Sequence, residues 1–300
     1  MSRLQANLCL LLAGAIWGGG FVVQASAMKS LGPLWFIGLR FLVATAAVAP
    51  FAWREAKRAE KPVTPRTYAA FSAIGLALFA GAVTQQIGLL TTTVTNSGFL
   101  TGLYVIMVPI LTVVILRKAP HWIIWPAAML ALIGIFLLSG GAIASLTYGD
   151  AMTIVCAFFW SVQVFLIGIF ASQSGRPLLL SAWQFAVTGI CATAGAILLE
   201  PISWTAISDA AFEIAYAGIF SSGLAFSLQV IGQRYTTAPQ AAIFLSSEAL
   251  FAATFGALIL GETITPLGYV GCGVIFLAMM LVEIVPEILS RRSQSATQAG

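Results

Sequence analysis

Charge is what this sequence has least of. Only 8% of its 300 residues are Asp, Glu, Lys or Arg, against about 25% in soluble domains. Apolar residues make up 60%, too much to hide beneath a solvated exterior. Composition therefore excludes an ordinary soluble enzyme, and equally a disordered chain, which fails to fold for want of hydrophobicity. The excess of four positive charges is spread over short segments, so no nucleic acid is expected as a partner. Histidine occurs once, as His121 beside Trp122, where an interfacial residue is expected. The cysteines Cys9, Cys156, Cys191 and Cys272 all fall within apolar stretches, which fits packing rather than a disulfide framework or metal site. No Gly-x-x-x-x-Gly-Lys-Ser/Thr loop is present, so no ATP hydrolysis is expected. No metal-ligand cluster and no catalytic constellation stand out, and neither a cofactor nor an enzymatic reaction is expected.

What the sequence has in abundance is long apolar runs. A membrane-crossing helix needs about 20 such residues, and stretches of this kind lie near 5–28, 31–53, 67–89, 93–116, 121–140, 149–170, 177–199, 211–233, 237–260 and 265–287. The runs lack the alternation of a barrel strand. The expected fold is therefore an all-α membrane protein of ten transmembrane helices. Basic residues mark the cytoplasmic side. With Arg3 inside, the inside segments also collect Arg54, Lys57, Arg58, Lys61, Arg66, Arg117, Lys118, Arg176, Arg234, Arg291 and Arg292. The opposite side holds Lys29, and Arg40 lies within a span. Both termini are thus expected in the cytoplasm. Ala25-Ser26-Ala27 resembles a signal-cleavage site, but its apolar run is longer than a signal core, so an uncleaved first span is expected.

Shifting the chain by 144 residues aligns Pro33-Leu34 with Pro177-Leu178, Phe41 with Phe185, Gln85 with Gln229, Gly88 with Gly232 and Thr92-Thr93 with Thr236-Thr237; a shift of 143 aligns Trp17 with Trp160. The expected organisation is two five-helix repeats, 5–140 and 149–287, followed by a cytoplasmic tail, 288–300. Five spans is an odd number, so the second repeat enters the membrane inverted. Inverted repeats are typical of secondary transporters, with substrate held near the midplane.

Several motifs resemble the drug/metabolite transporter superfamily, EamA-like branch. They are Ala15-Ile16-Trp17-Gly18 with Phe21, Arg40-Phe41, Asn96-Ser97-Gly98-Phe99-Leu100-Thr101 with Tyr104-Val105 and Val108-Pro109, and Leu258-Ile259-Leu260-Gly261-Glu262. Within that branch the chain looks most like YddG-type amino-acid exporters. The resemblance implies ten helices in two inverted repeats. It also implies a central cavity walled by helices 1 to 4 and 6 to 9, with export or exchange of small metabolites across the bacterial inner membrane by alternating access. Departures are Glu248-Ala249, where the ninth helix often carries proline, and Arg117-Lys118 in place of a Gly-Glu ending.

Two charges fall deep within spans, Arg40 and Glu248, each costing roughly 2.5–3.5 kcal/mol to insert. Either one or both face an aqueous cavity, where they would bind the carboxylate and amine of a zwitterion or Glu248 would carry a coupling proton, or they are a structural ion pair or hydrogen-bonded anchors, with Arg40 fixing the second helix. The anchor reading is the stronger for Arg40. Trp17 and Trp160 are expected as aromatic cavity walls, their indole N–H groups met by substrate or water, or else as packing residues. Gln163, three residues after Trp160, shares its face. Asn96, Thr101 and Tyr104 can share a broad face of the fourth span, and Ser247 adjoins Glu248. These residues complete the expected substrate site, while Gln85 and Gln229 read as interhelical hydrogen bonds. Gly18-Gly19-Gly20, with Gly18 and Gly20 as its key positions, marks either local unwinding or close helix packing.

The reading that follows is a secondary transporter of small molecules, amino acids first, in a lipid bilayer, as a monomer or weak homodimer. A broad drug exporter and a flippase of lipid-linked substrates are the alternatives. A membrane-embedded enzyme would need ionisable groups gathered at one interface. Asp150, Glu200, Asp209, Glu213 and Glu262 are instead scattered.

Overall fold

The computed structural model describes residues 1–59, 62–92, 94–141, 147–260 and 263–298. Gly261 and Glu262 of the resemblance lie outside them, as does Thr93. The side chains of Phe21, Arg291 and Arg292 are likewise outside the description.

The chain is helical, with no strand among the described residues. Its helices are α1 (Arg3–Ala27), α2 (Pro33–Lys57), α3 (Pro65–Gly88), α4 (Val94–Thr101), α5 (Tyr104–Leu116), α6 (Ile124–Leu138), α7 (Tyr148–Ser174) and α8 (Pro177–Leu199). Then come two short helices, α9 (Trp204–Asp209) and α10 (Ala211–Tyr216), a π-helical turn (Ala217–Ala225), α11 (Phe226–Gln233), α12 (Ala238–Leu245), α13 (Ser247–Leu260) and α14 (Pro266–Gln298). Among the described residues seven segments are long and apolar enough to cross a membrane, including Asn96–Leu116 and Ala211–Gln233, and Ile124–Leu138 is a shorter apolar helix. Starts are set by local chemistry. Ser2 and Thr147 form capping boxes with Gln5 and Asp150, and proline opens α2, α3 and α8, where its missing N–H costs no helical bond.

Two departures from the sequence expectation matter, and one open alternative is resolved. The fourth apolar stretch is broken at Gly102–Leu103, and the ninth at Ser246. A 144-residue shift carries Gly102 onto Ser246, so the breaks are equivalent. The last helix does not end before the expected tail at 288 but continues to Gln298. Gly18, Gly19 and Gly20 stay inside the continuous helix α1, so the glycine run packs rather than unwinds.

The two halves grip each other through equivalent contacts. A methyl group on Gly88 would stand 3.0 Å from the carbonyl of Gly149 and 2.6 Å from Thr153 Oγ1. One on Gly232 would stand 2.9 Å from the carbonyl of Ala6 and 2.9 Å from Leu10 Cγ. Ala6 and Leu10 are the residues that a 143-residue shift carries onto Gly149 and Thr153. Helices α2 and α8 run antiparallel and cap one another. Glu200 accepts from the backbone N–H groups of Leu34 and Trp35, both at 3.0 Å. Glu55 accepts from those of Leu178 (3.3 Å) and Leu179 (2.9 Å). Each carboxylate meets the positive end of a helix dipole, at opposite ends of the molecule.

Each end also carries a polar cluster. At the end rich in Arg and Lys, Glu283 of α14 accepts from Asn7 (2.7 Å) and Gln240 (3.0 Å) and pairs with Arg3 (3.3 Å). At the far end Asp150 accepts from Thr92 and from the N–H and Oγ1 of Thr147, both at 2.8 Å, and is hydrogen-bonded by Asn96. Asn7 corresponds to Asp150 and Asn96 to Gln240, so the clusters are counterparts with the acid supplied from different helices.

Candidate functional site: a charged cavity on the pseudo-two-fold

Between the halves lies a cavity of about 50 Å³ whose wall includes Trp17, Arg40, Thr101, Tyr104, Trp160, Gln163 and Glu248. These are seven of the residues singled out by sequence. Four others are not in its wall. Asn96 is engaged at the Asp150 cluster. Ser247 faces α1, its Oγ 2.5 Å from where a Gly14 methyl would be. Gly18 lets α1 approach α13, since a methyl there would lie 2.6 Å from the Ala252 nitrogen and 2.8 Å from the Glu248 carbonyl. Gly20 packs on Ser221, whose Oγ would be 3.1 Å from an added methyl. The glycines thus act as small residues that bring backbones close and hold α13, with Glu248, against the cavity.

The wall follows the internal repeat. Trp17 pairs with Trp160, Gln85 with Gln229, Thr101 with Leu245 and Tyr104 with Glu248 under the same shifts, and all eight line the space. Both helix breaks adjoin it, Gly102–Leu103 directly before Tyr104 and Ser246 two residues before Glu248. Interrupted helices at matching positions of two repeats are where transporters place substrate. Charge breaks the symmetry: Tyr104 is replaced by a carboxylate, and Arg40 has Gln184 as its counterpart.

Arg40 is buried on α2. Its Nη1 donates to Gln24 Oε1 at 2.8 Å, and its guanidinium lies 5.1 and 5.0 Å from the ring centroids of Phe36 and Phe41. It is thus tethered to α1 through Gln24 and also faces the cavity, where its Nε has no partner. Glu248 Oε1 and the Tyr104 hydroxyl are likewise buried without partners. Arg40 and Glu248 do not form an ion pair with each other, since the ion pair found among the described residues is Arg3–Glu283. An unmet buried polar group costs about 1–3 kcal/mol, so these three favour a polar occupant.

The aromatic wall is built around Phe226. Its ring centroid is 4.7 Å from that of Trp17 and 5.6 Å from that of Trp160, stacked on the latter at 28°. The Trp17 indole N–H donates to the Ser221 carbonyl at 2.9 Å. That corrects the expectation that substrate or water would take this N–H. The carbonyl belongs to the π-helical turn, a geometry frequent at functional sites. Gln163 and Gln229 exchange hydrogen bonds (3.4 and 3.1 Å), and Gln163 also donates to Gln184 (3.2 Å). Gln85 donates to Thr101 (3.3 Å). Gln85 and Gln229 make the interhelical bonds expected of them and line the cavity as well, while Gln163, expected in the substrate site, lines it with its amide bonded to Gln184 and Gln229.

Sequence reasoning missed Gln24, Val164, Ser221, Phe226 and Leu245 in the wall. A signal for Leu245 existed, because the 144-residue shift applied to Thr101 lands on it. Phe226 shifts onto Ala82, so the repeat carries no trace of its role. At about 50 Å³ the space holds a few waters, at roughly 10–15 Å³ each, and is well below the roughly 300–1,000 Å³ of small-molecule pockets. The conformation is a constricted one, and a metabolite requires it to widen.

Comparison with known proteins adds identity to this geometry. The profile described as the EamA-like transporter family matches twice, over residues 4–140 and 147–284. The chain is 30% identical to an "Uncharacterized transporter" of Archaeoglobus fulgidus, over 95% of this chain and 87% of that one. It is 26% identical to "Uncharacterized transporter YwfM" of Bacillus subtilis, over 94% of each. It is 24% identical to "Uncharacterized inner membrane transporter YicL" of Salmonella typhimurium, over 94% of this chain and 96% of that one. A solved crystal structure superposes with a TM-score of 0.78 over 96% of this chain and 99% of its own, at 16% identity, a likeness of fold alone.

Proposed function

The chain belongs to the EamA-like transporter family, and from that premise we propose that it exports small zwitterionic metabolites, amino acids foremost and aromatic ones among them, by alternating access through the central cavity. It is a multi-pass membrane transporter for a small molecule, not a soluble protein. The observation that carries the finer reading is that two buried ionisable side chains of opposite type share one cavity without pairing. Arg40 and Glu248 line the same space without neutralising each other. A zwitterion satisfies both, its carboxylate taking the guanidinium and its ammonium the glutamate. The rings of Trp17, Trp160 and Phe226 then supply the apolar wall for a side chain.

Alternating access is supported by the equivalence of the two end clusters, Asp150 with Asn96 and Thr92, and Glu283 with Asn7 and Gln240. Opening one while the other stays closed exposes the cavity to one side at a time. The breaks at Gly102–Leu103 and Ser246 give each half a place to pivot beside the site. The basic end is assigned to the cytoplasm of the bacterial inner membrane. Glu248 is also the group able to carry a coupling proton.

The test is flux in proteoliposomes of purified protein with labelled tryptophan, phenylalanine, threonine, methionine, lysine and glutamate, each with and without a pH gradient. Saturable flux with mutual competition, lost in Trp17→Ala and Glu248→Gln proteins that insert correctly, supports the reading. Accumulation that depends on the gradient supports proton coupling, whereas flux only down the substrate gradient refutes it. No flux of any of them from folded protein overturns the amino-acid reading in favour of drugs or lipid-linked substrates.

A further inference from the structure

Away from the central cavity, the end of α2 and the turn between α7 and α8 enclose a groove of about 530 Å³, lined by Phe51, Arg54, Glu55, Arg58, Arg176 and Leu178 among others. That is about ten times the central space, and within the roughly 300–1,000 Å³ of small-molecule pockets. We propose that this groove seats the phosphate headgroup of an anionic phospholipid, drawn from the leaflet at the basic end of the protein.

The charge arrangement calls for an anion. Arg54 and Arg58 are four residues apart on α2 and so share one helical face, where like charges repel. Arg176 joins them from the α7–α8 turn. The carboxylate within the groove, Glu55, is already committed, since both its oxygens accept backbone N–H groups at the start of α8. Arg176 and Arg234 also act on it electrostatically. Among the described residues of the groove wall the one acid therefore serves a helix terminus, and arginines outnumber it. Guanidinium forks bind phosphate oxygens two at a time, and basic pockets between transmembrane helices suit anionic headgroups.

The surroundings point to a lipid rather than a soluble anion. Phe51 lies one turn deeper along α2 than Glu55, is 55% exposed and forms part of the groove wall. The phosphate end thus continues into an apolar face that suits an acyl chain. At a similar depth on another face of α2, outside the groove wall, Trp53 is exposed, with the Lys57 ammonium 3.7 Å from its ring centroid. Tryptophan with a neighbouring cation marks headgroup depth.

The test uses the full chain in phosphatidylcholine nanodiscs containing a minority of phosphatidylglycerol, extracted gently and weighed by native mass spectrometry. Wild-type protein is expected to retain phosphatidylglycerol selectively. An Arg54→Gln/Arg58→Gln variant is expected to retain it about 30-fold more weakly, since each basic residue near the surface contributes about 1 kcal/mol. Arg54→Lys/Arg58→Lys, which keeps the charge but not the forks, should fall between and shows that the loss is not misfolding. Arg117→Gln/Lys118→Gln removes equal charge elsewhere at the same end and should retain the lipid. Equal loss in that control, equal retention of phosphatidylcholine, or displacement of the lipid by inorganic phosphate overturns the proposal.

Discussion

Replacing Arg40 by glutamine gives the first half the residue that the second half carries at the corresponding position, Gln184. The fold should survive. The substitution removes a buried charge, keeps an amide donor near Gln24, and leaves Phe36 and Phe41 in place. Transport should not survive unchanged. If Arg40 receives the substrate carboxylate, the lost contact is a charge-assisted hydrogen bond worth about 1.5–3 kcal/mol, or roughly 10- to 150-fold in affinity by the usual 1.4 kcal/mol per tenfold. The informative assay compares tryptophan with tryptamine, which has the ring and the amine but no carboxylate. In proteoliposomes the variant should lose tryptophan flux at low concentration by that factor and leave tryptamine flux where it was. Glu248→Gln should give the mirror result with indolepropionate, which keeps the carboxylate and lacks the amine. A variant that lowers tryptophan and tryptamine equally, or neither, refutes the assignment of Arg40 to the carboxylate.

Three further outcomes follow from the geometry. Gly18→Ala places a methyl 2.6 Å from a backbone nitrogen of α13, and overpacking of this kind costs about 1–3 kcal/mol. A lowered thermal midpoint in detergent should report it, and an unchanged midpoint would mean that α1 and α13 are not held by that approach. Trp17→Phe keeps a ring beside Phe226 but leaves the Ser221 carbonyl without its donor. Its loss of about 0.5–1.5 kcal/mol should reduce flux less than Trp17→Ala, and equal defects would show that the ring face contributes nothing. Asp150→Ala and Glu283→Ala weaken opposite end clusters, so labelling of a Leu245→Cys cavity thiol by a membrane-impermeant reagent should rise from opposite sides. Rises from the same side would contradict the gate assignment.

The membrane class, the helix starts and the central charges were legible because each has a local cause. Apolar runs, prolines and capping boxes act within a few residues, and a charge in a span is rare enough to stand out. The repeat was legible through Trp17 and Trp160, but its consequence for the cavity was not followed to Tyr104 and Glu248, whose chemistry differs although their positions correspond. Asn96 was misplaced for a physical reason. Eight residues of helix set Asn96 about 12 Å along the axis from Tyr104, at the Asp150 cluster, so a shared face does not bring it to the cavity. Ser247 was assigned by its neighbour Glu248, yet adjacent residues on a helix point about 100° apart. The partners of Trp17 lie more than 200 residues away, at Ser221 and Phe226, where no local pattern announces a π-helical turn.

The exchange of caps between α2 and α8 bears on how the protein is made. When the first half leaves the ribosome and enters the membrane, the opening turn of α2 has its backbone N–H groups unmet, because Glu200 is synthesised about 165 residues later. The start of α8, by contrast, finds Glu55 already in place. Biogenesis is therefore asymmetric even though the finished joint is reciprocal: the first half waits, and the second docks onto a waiting partner. The joint is also made wholly of non-covalent contacts between halves. Two fragments divided between α6 and α7 and synthesised together carry all the groups needed to rebuild it, whereas the first fragment alone leaves the entry of α2 exposed to the quality-control proteases of its membrane.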